Sequence, residues 1–289
     1  MDLKQLRYFV TVVEEKTVTA AAEKLNMTQP PLTAQLHALE EELGCSLFLR
    51  EGRRLRPNEA GMCFYARALE IIGMCDSLKR EMGQFRKGAR GTLSIGVVSS
   101  VQGTVFTKWV CEYSSSHPQV MLSVISANTY ELLEKLRNHE IDMAVVRTPF
   151  AAGDLETEYL YDETMVAVGE ERFFSDAGKD RISLQELSQI PIIFYRRWQK
   201  VIEACFESGG LAPFVYCVND DASMTLSLAL SGLGVGIMPP SVLPKELPEG
   251  ILAFKIDEPT LVSCIALVCN SKKQLPESAK LFWQLVSKK

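Results

Sequence analysis

The sequence is poor in histidine: His37, His117 and His139 are the only three among 289 residues. One falls in an amphipathic helical stretch, one beside Pro118 and one in a charged turn, so no metal-ligand spacing or paired-histidine motif can be built from them. A GxSxG elbow and a P-loop are also missing, which removes the commonest hydrolase and nucleotide-hydrolysing readings. No apolar run approaches the roughly 18 residues of a membrane-spanning helix. The first residues, MDLKQLRYF, carry charge within an amphipathic pattern instead of a basic segment followed by an apolar block, so no export signal is read and the expected location is the cytoplasm. Eight cysteines occur, at 45, 63, 75, 111, 205, 217, 264 and 269, in no CxxC pairing. Metal and disulfide-framework readings are therefore weak, and no metal or cofactor is expected. Gly232, Gly234 and Gly236 form a GxGxG that follows a helical pattern and enters an extended one, the reverse of a dinucleotide fingerprint, so a helix C-cap and tight turn is read there.

What is present is the composition of an ordinary globular protein, 47% hydrophobic and 23% charged, long enough for more than one core. The net charge of -5 divides unevenly: residues 1 to 90 hold 14 Lys+Arg against 12 Asp+Glu, net +2, and the remainder holds 17 against 24, net -7. Charge is segregated along the chain, as expected where a basic surface serves one part only.

Residues 17 to 44, TVTAAAEKLNMTQPPLTAQLHALEEELG, read as a short alanine-rich helix, a polar turn and a second amphipathic helix. Leu32, Leu36, Leu39 and Leu43 form one apolar stripe, Asn26 and Thr28 are candidate caps, and Pro30 and Pro31 sit where a missing amide donor costs least. This is a helix-turn-helix with a recognition helix. After Gly44, LFLREGRRLRPN reads as a hairpin around Gly52 with Arg50, Arg53, Arg54 and Arg56, a winged extension whose guanidinium groups suit phosphate oxygens. By itself such a segment is more often a solvated basic loop, but its place directly after the helix-turn-helix reverses that.

Taken in order, Leu6, Phe9, Thr17, Thr19, Ala21, Ala22, Leu25, Gln29, Pro30, Leu39, Glu40, Leu43, Gly44, Leu47, Phe48, Arg50, Arg53 and Glu59-Ala60-Gly61 make the chain resemble the LysR-type transcriptional regulators, in overall plan over its whole length. Ala34 stands where the family usually carries arginine, and Pro57-Asn58 where it has Leu-Thr, so base preference does not transfer. The expected fold is α+β and multi-domain. It has a winged helix-turn-helix over 1-58, a dimerisation helix and hinge over 59-90, and a periplasmic-binding-protein-like α/β effector domain over 91-289. In that domain 91-162 with 265-289 form one subdomain and 163-264 the other.

Within 59-88, Phe64, Ala68, Ile71, Cys75, Leu78, Met82 and Phe85 alternate spacings of four and three, a seam that wants a partner helix. The partners expected are double-stranded DNA with inverted half-sites and a second copy of the chain, with dimers pairing into a tetramer; RNA polymerase is a further candidate. DNA contacts are expected from Thr28, Gln29, Pro31, Thr33, Gln35 and His37 of the recognition helix and from Arg50, Arg53 and Arg54 of the wing.

Beyond residue 91, TLSIGVV, VMLSVIS and IDMAVV alternate with helical patterns as a βαβαβ unit, and TMVAVG, PIIFY, FVYCV and VGIMP make a second set before LVSCIALVC and a last helix return to the first. Ligands of such sheets sit beyond the carboxyl ends of the strands. There the sequence offers Ser99, Ser100, Gln102, Asn128, Thr129, Arg147, Thr148, Tyr195 and Arg196, hydroxyls and cations suited to a carboxylate or other small anion. Taken singly, serines and threonines before helices are mostly plain caps. The resemblance also implies an alternative, thiol-based redox sensing, because a peroxide-sensing branch of the family uses two cysteines of the region holding Cys205 and Cys217. An enzyme or a ligand-binding protein without a DNA role is the reading from outside the family, and it leaves the first ninety residues without purpose.

Overall fold

The computed structural model describes residues 1-51, 54-85, 91-176 and 178-288, which fall into two compact units. The first contains α1 (Leu3–Glu15), α2 (Val18–Lys24) and α3 (Gln29–Leu43), then the antiparallel hairpin β1 (Phe48–Glu51) and β2 (Arg54–Pro57), then α4 (Glu59–Phe85). A reciprocal capping box opens α1: the Gln5 amide donates to Asp2 Oδ1 at 2.9 Å and the Asp2 amide to Gln5 Oε1 at 3.0 Å. Thr17 caps α2 by accepting from the Ala20 amide at 3.2 Å. Thr28 occupies the cap position of α3 without a side-chain bond, and Asn26 adopts a left-handed turn conformation instead of capping.

Leu32, Leu36 and Leu39 are buried around Phe9, Val12, Ala21 and Ala22, as their spacing predicts. Leu43 departs from the expectation and is 37% exposed, because it is the last helical residue before the chain turns off at Gly44. Gly61 explains the close seating of α4: a Cβ there would lie 2.1 Å from the Leu47 carbonyl oxygen. The heptad seam of α4 turns out to be divided. Phe64 and Ala68 pack inward on α1 with Leu6 and Val10, while Ile71, Leu78 and Met82, together with Met74, stay exposed. Asp76 anchors the helix by accepting from Arg7 Nη2 with both carboxylate oxygens at 2.7 Å. The expected turn at Gly52, the side chains of Arg50 and Phe85, residue Arg53 and hinge residues 88-90 lie outside the described residues.

The second unit begins with β3 (Thr92–Val97), α5 (Ser99–Val101), α6 (Thr107–Ser116), β4 (Met121–Ser126), α7 (Thr129–Arg137), β5 (Met143–Arg147) and β6 (Glu156–Thr164). It continues through β7 (Val166–Glu170), β8 (Arg181–Ile182), α8 (Leu184–Leu187), β9 (Ile192–Tyr195), α9 (Gln199–Ser208), β10 (Val215–Asn219), α10 (Ala222–Leu230) and β11 (Val235–Met238), and closes with β12 (Ile251–Ile256), β13 (Val262–Cys269) and α11 (Glu277–Ser287). Two sheets result, ordered β4-β3-β5-β13-β6 and β10-β9-β11-β7-β12-β8. Each has a parallel trio, β4-β3-β5 and β10-β9-β11; β13 and β6 extend the first through antiparallel pairings, β7 and β12 extend the second in the same way, and β8 pairs parallel with β12. The chain passes from the first sheet to the second at Met165 and returns between β12 and β13, and each lobe has its own apolar core. The strands β6, β8 and β12 are additions to the sequence reading. In β6, ETEYLYDET is an edge strand with much of its length exposed, so charge masks its period. No described helix is long and apolar enough to cross a membrane.

Candidate functional site

In the first unit, α2, α3 and the hairpin enclose a groove of about 980 Å³. Its polar edge holds Thr17, Thr19, Gln29, Thr33, His37 and Arg54 over a floor of Val18, Leu36, Phe48 and Leu55. Gln29, Thr33 and His37 recur every four residues, so one helical face carries all three beside the buried leucines. Thr28, Pro31 and Gln35 are exposed but fall outside this groove, and Gln35 Oε1 accepts from Gln5 Nε2 at 3.2 Å. Glu40 faces the groove with its charge engaged: Oε1 accepts from the Leu47 amide at 2.7 Å and the Ser46 hydroxyl at 3.1 Å, tying α3 to the hairpin. Arg54 is exposed and has no ion pair among the described residues. Amide, hydroxyl and imidazole groups beside a solvated guanidinium are the chemistry that reads base edges and grips phosphate. Thr17 and Thr19 were not singled out from sequence as contacts, although they open the very helix that defines the motif.

In the second unit a cavity of about 240 Å³ lies between the two lobes. Six of the residues expected from sequence, Ser99, Ser100, Asn128, Thr129, Arg147 and Tyr195, line it. Three do not. Gln102 Nε2 donates to Ser126 Oγ, Thr148 Oγ1 accepts from the Cys264 amide at 2.8 Å, and Arg196 is exposed and paired with Asp220 at 2.7 Å. The second lobe's cation in the wall is Arg197, one residue further on, because a 3-10 turn after β9 swings Arg196 outward.

Arg197 Nη2 donates to the carbonyl oxygens of Arg147 and, at 2.7 Å, Pro149, and its guanidinium lies 5.7 Å from the centre of the Tyr130 ring. Burial pulls its pKa down from the ordinary arginine value and no carboxylate is among the influences that oppose this. Arg197 Nε is buried without a hydrogen-bond partner, and so are Thr129 Oγ1 and Trp198 Nε1 in the same wall. Thr129 opens α7, where Asn128 Oδ1 accepts from the Glu131 amide at 3.0 Å, so the positive end of that helix also faces the cavity. Burial raises the Tyr195 pKa, keeping the phenol a neutral donor.

Arg147 has a different occupation from the one expected. Only 1% exposed, it donates from Nη2 to Glu163 Oε2 and Ser241 Oγ, each at 2.6 Å, from Nη1 to Ser263 at 2.9 Å, and from Nε to Ser100 at 3.3 Å. Ser241, from the second lobe, in turn donates to the Ser100 carbonyl at 2.9 Å. Burial lowers the Arg147 pKa and the Glu163 charge counters it. The guanidinium is thus consumed in a clamp between lobes, leaving little of it for a ligand.

Cys205 is buried with its sulfur 3.2 Å from Thr260 Oγ1, and Cys217 is half-buried on the edge strand β10. These are the settings of packed thiols, and reactive ones are usually more open.

Two family models match. Residues 3-62 match the bacterial regulatory helix-turn-helix protein, lysR family, and residues 86-289 the LysR substrate binding domain. Over 292 aligned residues the chain is 29% identical to the HTH-type transcriptional regulator BsdA of Bacillus subtilis (strain 168), covering 99% of this chain and 100% of BsdA. It is 28% identical to the Hca operon transcriptional activator HcaR of Escherichia coli (strain K12), over 83% of this chain and 82% of HcaR. Among solved structures, full-length CbnR complexed with its target DNA superposes with a TM-score of 0.71 at 24% identity, covering 100% of this chain and 99% of that one, a likeness of fold.

Proposed function

The chain belongs to the LysR family of DNA-binding transcriptional regulators, and from that premise we propose that its activity is set by a small organic anion held between the two lobes of the second unit. The observation that carries this is the set of three buried polar atoms, Thr129 Oγ1, Arg197 Nε and Trp198 Nε1, left without partners around one cavity. Buried donors are ordinarily satisfied, and a carboxylate offers the acceptors and the negative charge that Arg197 lacks. Binding there closes the lobes on each other, and the resulting change in how copies of the chain associate alters the spacing or bend of the bound operator. The chemistry is regulation by binding, with no catalytic step.

On the DNA side, Gln29, Thr33 and His37 read base edges and Arg54, with Arg50 and Arg53, holds phosphates; CbnR, the structural neighbour named with its target DNA, supports this placement. The exposed Ile71, Met74, Leu78 and Met82 of α4 supply the apolar face through which two chains dimerise. The place of action is the cytoplasm, with the DNA. The test is calorimetry with a panel of small organic acids on the full chain and on Thr129→Val and Arg197→Gln. At least one acid binds the wild type and binds both variants more weakly, and the same acid changes the footprint on an upstream regulatory fragment. Equal affinity in all three proteins removes the cavity from the mechanism.

A further inference from the structure

The cavity between the lobes carries charge of both signs. Arg197 supplies the positive side, and Asp220 and Asp221, which enter the wall directly after β10, supply the negative. Asp220 is exposed and already engaged by Arg196 at 2.7 Å. Asp221 is half-buried, spends Oδ1 on capping α10 by accepting from the Met224 amide at 2.9 Å, and has no ion pair among the described residues. No carboxylate supports Arg197 either, so the two charges stand in one cavity without neutralising each other. Such a cavity is complementary to a ligand that carries a carboxylate and an ammonium together.

Size and polarity narrow the ligand further. At about 240 Å³ the cavity is smaller than the roughly 300 to 1,000 Å³ of ordinary small-molecule sites, which are also mostly apolar. Here Val98, Ala127, Trp198 and the Tyr195 ring are the apolar members of the wall, and hydroxyl, amide and charged groups make up the rest. Thr129 and Trp198, only 1% and 2% exposed, each leave a polar atom unpartnered there. A broad hydrocarbon body would cover these groups without satisfying them, at the cost of a buried polar group left unbonded. A compact ligand with polar groups close to its charges does not incur that cost.

We propose that the effector is a small amino acid, its carboxylate taken by Arg197 and Thr129 and its ammonium by Asp221. This rests on the reading of the cleft as a carboxylate site and adds to it the requirement for a positive charge on the same ligand. The test is calorimetry on the full chain with matched pairs that differ only in that charge: L-alanine with L-lactate, L-serine with L-glycerate, L-aspartate with L-malate. At least one amino acid binds, and its hydroxy partner is weaker by about ten-fold or more, because a hydroxyl leaves the Asp221 carboxylate without a cation. Asp221→Asn and Asp221→Ser, which keep a residue able to cap α10, weaken that amino acid by about ten-fold. They neither weaken the hydroxy acid nor lower the melting temperature, whereas Arg197→Gln weakens both members of the pair. The proposal is overturned, with the carboxylate reading left standing, if the hydroxy acids bind as tightly as the amino acids or if both Asp221 variants keep the wild-type affinity while Arg197→Gln loses it. Binding by no amino acid also overturns it, even where other acids bind. Wild-type affinity for every bound compound in Arg197→Gln removes the cleft, and both readings fall together.

Discussion

Among the described residues neither Arg54 on the hairpin nor Arg197 in the cleft has a carboxylate partner, and the contrast between them separates the two halves of this regulator. Arg54 stands in water, which solvates it at little cost, and any phosphate it gripped would have to displace that water. Arg197 is held by backbone carbonyls in a wall that leaves its Nε unbonded, so its solvation depends on what enters the cavity. The DNA-reading unit keeps its polar groups outside an apolar core. The effector-binding unit buries them, and accepts unsatisfied atoms that an anion can satisfy. On the function proposed above, one surface is tuned by salt and the other by a specific ligand.

Four substitutions break or sharpen this comparison. The largest effect is expected from Arg147→Ala, which leaves the largely buried Glu163 carboxylate without its cation and should cost about 3 kcal/mol of stability, read from denaturant unfolding of the second unit's transition. A loss no larger than that from a surface substitution would show the clamp to be solvated after all. Arg197→Gln removes a half-buried cation that has no carboxylate partner among the described residues. It should leave the ligand-free protein as stable as before or more so, while weakening the bound acid about ten- to a hundred-fold in calorimetry. If it instead destabilised the free protein as Arg147→Ala does, the two arginines would be doing the same structural work.

Arg54→Ala should leave stability within about 0.5 kcal/mol and lower the salt slope of DNA binding by about 1, seen in binding titrations across ionic strength. An unchanged slope would take Arg54 off the phosphates. A further, local effect is expected at a half-buried capping motif of the second unit. The Ser183 hydroxyl and amide, with Lys179, hold the Glu186 pKa down to about 2. Because the folded value lies below the ordinary carboxylate value of about 4, the stabilisation is present above that value and lost as pH falls toward 2. Ser183→Ala should cost about 1 kcal/mol at neutral pH, and the gap to wild type should narrow through that acid window in unfolding titrations. A gap that widened instead would put the sign of the linkage in error.

How far each region could be read from the chain follows from how local it is. The recognition helix was legible because Leu32, Leu36 and Leu39 are spaced by the helix itself, and the stripe failed only at Leu43, where the helix ends. The seam of α4 was legible as a period but not as an allocation, since periodicity marks an apolar face without saying which neighbour covers Phe64 and which leaves Leu78 bare. The cleft was legible at strand ends: Ser99, Ser100, Asn128, Thr129 and Tyr195 reach one cavity because parallel strands deliver their carboxyl ends to the same edge. The error of one residue between Arg196 and Arg197 arose in a 3-10 turn, whose direction no pattern of hydrophobicity records. The clamp that Arg147 makes while also lining the cavity depends on Glu163, Ser241 and Ser263, which are remote from it in sequence.

The amino-acid order alone determined the helix-turn-helix, the hairpin that follows it, the two alternating α/β sets and the family, because each rests on period, cap or turn chemistry within a few residues. Tertiary structure alone decided that Arg147 clamps the lobes and that Arg197 Nε, Trp198 Nε1 and Thr129 Oγ1 lie without partners in the wall of one cavity. Whether a polar group is satisfied depends on which distant segments surround it, and that is settled only when the chain has folded.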